Sequence, residues 1–314
     1  MPIKTGTTAE AGIPTIDRDT CIACGRCVSV CSSETLLLED GRVLVDYESS
    51  LGCVGCAQCA AVCPTNSITV TGRGLRPDDL LPVPPACERA TAEHLDALLL
   101  RRRSVRCFTG EPVSTADIDR VLTMATRAPM GLPPSDVGVV VFQGRERVQE
   151  LAEDCVRVME GWLKWARPPL LKLARPFIGK AFYESATTFM VPALRLIVEK
   201  RRAGEDWLLY DAPAALLFHL SPYADPADST IAATYAMLAA ESLGLGTCMI
   251  GTVGYLVGYT KALKAKYGVP VANKPGLILL LGHPAVEYQR ALRRRFASVT
   301  DSHNREHPHA IQAT

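Results

Sequence analysis

Eight of the twelve cysteines in this 314-residue chain fall between Cys21 and Cys63, in two copies of one spacing. Cys21, Cys24, Cys27 and Cys31 form a C-x2-C-x2-C-x3-C run, and Cys53, Cys56, Cys59 and Cys63 repeat it at an offset of 32 residues. Thiolates are soft ligands that suit iron–sulfur clusters and zinc. Zinc sites usually come as two separated C-x2-C pairs, which two duplicated runs of four fit poorly. The other four cysteines, Cys87, Cys107, Cys155 and Cys248, share no ligand spacing and read as ordinary thiols.

A second chemical signal is Arg101-Arg-Arg-Ser-Val-Arg-Cys-Phe108. Arginines supply planar forked donors and a serine adds one more, a set able to clamp a phosphate. The same residues also read as a solvated basic helix end, where positive charge complements the helix dipole. His219 and His283 are candidate proton donors, although a histidine at a strand end is more often structural. There is no Ser–His–Asp pattern and no glycine-rich dinucleotide fingerprint, so no catalytic side chain is assigned.

These residues need elements to position them. The length is that of about two domains. Hydrophobic residues are 48%, charged residues 21% and the net charge is +1, so bulk charge points to neither nucleic acid nor membrane. Residues 229–259 are long and apolar, but five glycines break them, and they read as a buried helix–loop–strand unit rather than a span. No secretory signal precedes the cysteines, which places them, reduced or metal-bound, in a cytoplasmic setting.

Residues 1–15 read as a loose arm. Short strands are expected at Leu36–Leu38, Val43–Val45 and Ile68–Val70. Gly72 to Pro85 carries four prolines and reads as an extended linker. Helices are expected from Thr91, with Leu95, Leu98 and Leu99 as the apolar face, and from Ser114. Strands follow at Val137–Phe142, read as buried, and at Ala214–Leu220 and Gly276–Leu281. Helix fills residues 148–204, interrupted by prolines, and residues 232–243. Mixed helices and strands of this kind suit an α+β domain.

Residues 16–72 resemble the two-cluster bacterial ferredoxins, in which the fourth cysteine of each run serves the other cluster. The resemblance implies one [4Fe–4S] cluster on Cys21, Cys24, Cys27 and Cys63, and another on Cys53, Cys56, Cys59 and Cys31. One departure is that Pro64 follows Cys63 while Ser32 follows Cys31.

Residues 92–300 resemble the FMN-dependent nitroreductase family. The matching pieces are Arg102–Phe108, Ala128-Pro129, Asp211-Ala-Pro213, Ala239–Gly251, Leu281-Gly-His-Pro284 and Arg293-Arg-Arg295. The resemblance implies that Arg102, Arg103, Ser104 and Arg106 contact the FMN phosphate, ribityl chain and pyrimidine edge. It brings Pro129, Met130 and Gly131 to the ring from a second subunit. Met249, Ile250 and Gly251 line the ring, with a backbone N–H near N5, and Arg293 and Arg295 close on the phosphate. Met130 and Leu132-Pro133-Pro134-Ser135 depart from the family pattern in the ring loop, and Gly251 stands where some members carry Glu.

The fold expected is therefore α+β: a ferredoxin-like domain over residues 1–75, a linker over 76–91 and a nitroreductase-like mixed-sheet domain over 92–314. Residues 155–205 form a family-variable insertion, either a substrate lid or helix and dimer packing. Lys164, Lys172, Arg175 and Lys180 read as a solvated face or as a dock for an acidic electron carrier. The resemblance implies a homodimer that passes electrons among two clusters, FMN and a small organic substrate such as a nitroaromatic, quinone or enone. The donor is NAD(P)H or an electron-carrier protein, and either direction of flow is compatible. Alternatives are a non-catalytic redox relay or sensor, or a flavin-remodelling or reductive dehalogenating activity.

Overall fold

The computed structural model describes residues 3–299, so the ends of the first and last expected domains, residues 1–2 and 300–314, lie outside the described residues. The cysteine block builds β1 (Ile13–Ile16), α1 (Arg26–Ser29), β2 (Leu36–Glu39), β3 (Arg42–Val45), α2 (Gln58–Ala61) and β4 (Ile68–Thr71). β1 pairs antiparallel with β4, and β2 with β3. Leu36, Val43, Ile68 and Val70 pack with Cys27, Cys59 and Ala60 into a small core.

The duplication reaches the backbone. Ala23, Gly25 and Glu34 have positive φ, and so do Gly55, Ala57 and Asn66, each 32 residues later. Two of these six are alanines, for which this region is costly.

The arm is not loose. Its last residues enter β1, Thr5 is buried, and Gly6 N–H donates to Asp136 Oδ2 at 2.7 Å. The linker holds only two 3-10 turns, Pro77–Asp79 and Ala86–Glu88, yet Arg73 beside it is buried.

The second domain comprises α3 (Ala92–Arg101), α4 (Thr115–Ala125), β5 (Val137–Gln143), α5 (Arg145–Trp165), α6 (Pro168–Ile178), α7 (Lys180–Ser185), α8 (Val191–Arg202), β6 (Ala214–Leu220), α9 (Pro226–Ser242), β7 (Gly246–Ile250), α10 (Gly251–Tyr259), α11 (Lys261–Lys266) and β8 (Lys274–Gly282). The hydroxyls of Thr91 and Ser114 accept from the backbone N–H groups of His94 and Asp117, fixing the starts of α3 and α4.

The sheet runs β5-β6-β8-β7, each neighbour antiparallel. Its two central strands are continuous apolar runs because helices cover both faces. Ala214, Leu216 and Phe218 of β6 face α4 and α9, while Ala215 and Leu217 face α5 and α10. Three expectations are corrected by this topology. A fourth strand, β7, stands beside the three expected. β5 is an edge strand in which only Phe142 is buried and Val141 is exposed. The leucines of α3 are not covered, since Leu95, Leu99 and Leu100 remain about half exposed.

α10 lies flat on β8. A Cβ at Gly254 would stand 2.0 Å from the Gly276 carbonyl oxygen, and one at Gly258 would stand 2.3 Å from Pro275. The insertion is mostly helical, broken at residues 166–167 and at Gly179, with a π turn at Ala186–Met190. It projects apolar side chains to the outside, including Trp165, Leu173, Phe177 and Phe189.

Candidate functional site

Cys21, Cys24, Cys27 and Cys63 line one pocket, with about 340 Å³ of empty space, together with Ile16, Val43 and Ile68. This is the first expected ligand set, with its fourth member drawn from the other run. The second set is also gathered. The charges of Cys53, Cys56 and Cys31 all act on Cys59, whose thiol burial pushes up to about 12.

The fourth ligands are treated alike. Burial opposes the Cys31 thiolate, but the Ser33 hydroxyl at 3.6 Å and nearby N–H groups hold its pKa down. At Cys63 the outcome is the same, through Thr65 and the Ser67 N–H at 3.2 Å. A ligating cysteine must be deprotonated, so these partners favour the binding form. Ala23 and Gly25, and their counterparts Gly55 and Ala57, are left-handed at alternate positions between the ligand cysteines. Thiol sets and pocket together fit two [4Fe–4S] groups.

The arginine segment runs beside β7. Ser104 forms a parallel bridge with Thr247, and Val105 N–H donates to the Thr247 carbonyl at 2.8 Å. This isolated bridge lies parallel beside a sheet whose own strand pairings are all antiparallel. Glu241 feels Arg101, Arg102 and Arg103, although burial raises its pKa above the carboxylate norm. Burial likewise raises the Cys248 thiol, opposed by Arg106 and Arg102. Among the described residues, Arg102, Arg103 and Arg106 make no ion pair, although Glu241 stands near enough to act on Arg102 and Arg103 and lines a pocket with Arg103 and Glu287. The arginine donor set fits a phosphate.

Met249 and Ile250 end the same strand and Gly251 opens α10, so the structure brings these residues into line with the arginine segment. Gly251 borders an open pocket with about 860 Å³ of empty space, lined also by Tyr255, Tyr259, Ser229 and Gly276.

Pro129, Met130 and Gly131 lie elsewhere. They precede β5 at the opposite edge of the sheet, three strand spacings or about 14 Å away. Gly131 N–H donates to Asp228 Oδ1 at 3.1 Å, which ties the loop to the start of α9. Arg293 and Arg295 are exposed, and among the described residues they make no hydrogen bond or ion pair that fixes them at the arginine segment. The stretch before them does reach it. Ala285 N–H donates to the Cys107 carbonyl at 2.9 Å, and Tyr288 OH donates to the Ser104 carbonyl at 3.4 Å.

His219 is structural. Its ring lies where a Cβ on Gly138 would stand, its Nδ1 accepts from the Asn273 amide at 2.8 Å, and burial lowers its pKa. Of the four cysteines outside the two runs, Cys155 and Cys248 are buried, and burial pushes Cys155 up to about 12, whereas Cys87 and Cys107 are exposed.

Arg73, Asp136 and Gly6 carry no motif and are legible only in three dimensions. Arg73 is 1% exposed. One terminal nitrogen donates to the carbonyls of Ile3 at 2.7 Å and Glu10 at 2.8 Å, and the other to Pro133 at 2.6 Å. Its stem packs on Gly55, between Cys53 and Cys56. Asp136 accepts from Ser221 Oγ as well as from Gly6. The cysteine domain is thereby fastened to the loop that holds Pro129–Gly131. The Gly72-Arg73-Gly74 turn, left-handed at all three residues, is the one local sign of it.

A small cysteine domain with two thiol sets thus leads into a helix-covered sheet bearing an arginine cradle. The nitroreductase family model matches residues 99–283, and a 4Fe-4S dicluster domain model matches residues 14–70. The chain belongs to the nitroreductase family and carries an N-terminal 4Fe-4S dicluster domain. It is 28% identical over 187 residues to an FMN reductase [NAD(P)H] of Bacillus subtilis (strain 168), a match spanning 60% of this chain and 64% of that relative. It is 26% identical over 175 residues to a nitrobenzene nitroreductase of Ectopseudomonas oleovorans, spanning 50% of this chain and 74% of the relative. Among solved structures it is similar to a nitroreductase with bound FMN from Desulfitobacterium hafniense DCB-2, at 21% identity and a TM-score of 0.49. That match covers 67% of this chain and 100% of the other.

Proposed function

We propose that this protein is an FMN- and iron–sulfur-dependent oxidoreductase that exchanges electrons between two [4Fe–4S] clusters, FMN and a small conjugated organic substrate. The observation that carries the reading is the direct fastening of the thiol-bearing domain, through Arg73, to the loop before β5. A domain built for one-electron carriers is thereby held against a domain whose arginine cradle suits a flavin phosphate. FMN supplies the exchange between one-electron and two-electron chemistry when bound.

In this reading Arg102, Arg103, Ser104 and Arg106 hold the phosphate and ribityl end. The turn from Met249 to Gly251 offers backbone to the ring, and Gly251 has open space where a Cβ would be, which leaves room for a flat group. Pro129–Gly131 and the arginine segment sit at opposite edges of one sheet, so a single chain does not close the site. A homodimer, in which the loop of one copy meets the cradle of the other, closes it. The half-exposed leucines of α3 and the apolar insertion supply faces for that contact or for a lid over the substrate.

The nitrobenzene nitroreductase relative favours a nitroaromatic acceptor, and the Bacillus relative favours NAD(P)H as one donor. A one-electron carrier protein at the cysteine domain is the other donor. Protein purified and reconstituted anaerobically is expected to hold about eight iron atoms and one FMN per chain. Turnover with NADH, NADPH and a reduced ferredoxin against nitroaromatics, quinones and enones then tests the activity. FMN that no acceptor in the panel reoxidises would sink the enzyme reading in favour of a redox relay.

A further inference from the structure

The two thiol sets do not stand alike toward the rest of the molecule. Among the described residues, none that lines the pocket of Cys21, Cys24, Cys27 and Cys63 hydrogen-bonds to the second domain. The other set is different. Cys53 is bridged to Gly12 of the arm, where the Gly12 N–H donates to the Cys53 carbonyl at 2.8 Å. Gly55, two residues on, packs against the Arg73 stem, and the Arg73 guanidinium ends on the Pro133 carbonyl.

Gly55 is φ +71°, and a Cβ there would stand 3.0 Å from Arg73 Cδ, so the position leaves space for this side chain and little else. Three carbonyls take the terminal N–H groups of Arg73. Its Nε–H is buried with no acceptor among the described residues. A buried donor of this kind is costly unless a bound group completes it. A buried positive charge and a spare buried donor thus stand at the second thiol set, whereas Arg26, which lines the pocket of the first, is exposed to solvent.

We propose that Arg73 is a positioning residue that makes the cluster on Cys31, Cys53, Cys56 and Cys59 the one adjoining the catalytic domain and raises its potential above that of the cluster on Cys21, Cys24, Cys27 and Cys63. The proposal rests on the two-cluster, FMN-linked reading above. Positive charge and hydrogen bonds stabilise the more negative, reduced form of a thiolate-bound cluster. Each passage between this cluster and the flavin oxidises one and reduces the other by one electron. The loop carrying Pro133 also carries Pro129–Gly131, so the same side chain sets both the potential and the placement of the cluster against the ring loop.

The test is an anaerobic redox titration of the holoprotein followed by EPR, in wild type, Arg73→Gln and Arg73→Lys. Cys31→Ser and Cys63→Ser assign each cluster's spectrum. Arg73→Gln is expected to lower the potential of the Cys31-assigned cluster alone, by at least a tenfold change in its oxidised-to-reduced ratio, about 59 mV for one electron. Arg73→Lys keeps the charge and is expected to hold that ratio within about threefold of wild type, a shift under about 30 mV on the same constant. A Gln variant that shifts neither cluster, both equally, or only the Cys63-assigned one overturns the proposal. So does a Lys variant whose shift equals that of Gln. Wild type lacking two EPR-active clusters would instead mean that the cluster reading itself has failed, before any Arg73 variant is compared.

Discussion

Arg102 and Arg106 are the residues on which the flavin reading turns. Each lies near β7 without an ion pair among the described residues, and each charge-assisted bond to a phosphate contributes about 1.5–3 kcal/mol. Arg102→Ala and Arg106→Ala are each expected to weaken FMN binding by about 10- to 100-fold, measured by quenching of flavin fluorescence on titration of the apoprotein. An unchanged affinity in both would remove the cradle. These arginines were legible because they are adjacent in sequence. The cluster cysteines were legible for the same reason, since ligand spacing is a local property. Arg73 was not, because its neighbours Ile3, Glu10 and Pro133 are distant in sequence and its burial follows from the docking of two domains. Arg293 and Arg295 show the converse, a motif in the right order whose side chains stay in solvent in the single chain.

Among the elements, strand and helix signals came through where an apolar run or a cap was strong. β6 and β8 are central and apolar apart from His219 and Lys274, and α3 and α4 start at the hydroxyls that cap them. β7 was harder to separate, being five residues between a glycine turn and a glycine-rich helix. The glycines of α10 have a packing cause, which gives a test. Gly254→Ala places a methyl against the Gly276 carbonyl and is expected to destabilise the domain by about 1–3 kcal/mol, read as a lower urea midpoint. A second test concerns the joint of α5 with α11. Asp154 accepts from Lys266 at 2.5 Å and from Tyr267 at 2.6 Å. Burial works against its charge, but those bonds and Arg157 hold its pKa below the usual range. Because the folded pKa is depressed, its contribution is complete above the unfolded carboxylate value, near pH 4, and fades as pH falls through the folded one. Asp154→Asn is expected to cost about 1–3 kcal/mol at neutral pH. Its deficit against wild type shrinks on acidification, and a deficit independent of pH would assign the cost to shape instead of charge.

At the scale of the whole molecule, the split between the arginine cradle and the ring loop predicts a dimer in solution. Light scattering is expected to return twice the chain mass, and a monomer that binds FMN at full affinity would contradict the composite site. The two-domain order was legible from the change in composition at Gly72. The docking of the domains was not, because it depends on a buried arginine, on Gly6 against Asp136, and on an arm whose sequence reads as loose. The central claim is that clusters and flavin in one protein share electrons. It is tested most directly by reducing the clusters anaerobically, adding a nitroaromatic acceptor, and following cluster reoxidation in FMN-loaded and FMN-free protein. Reoxidation that requires FMN is the predicted result, and reoxidation at the same rate without it would contradict the account.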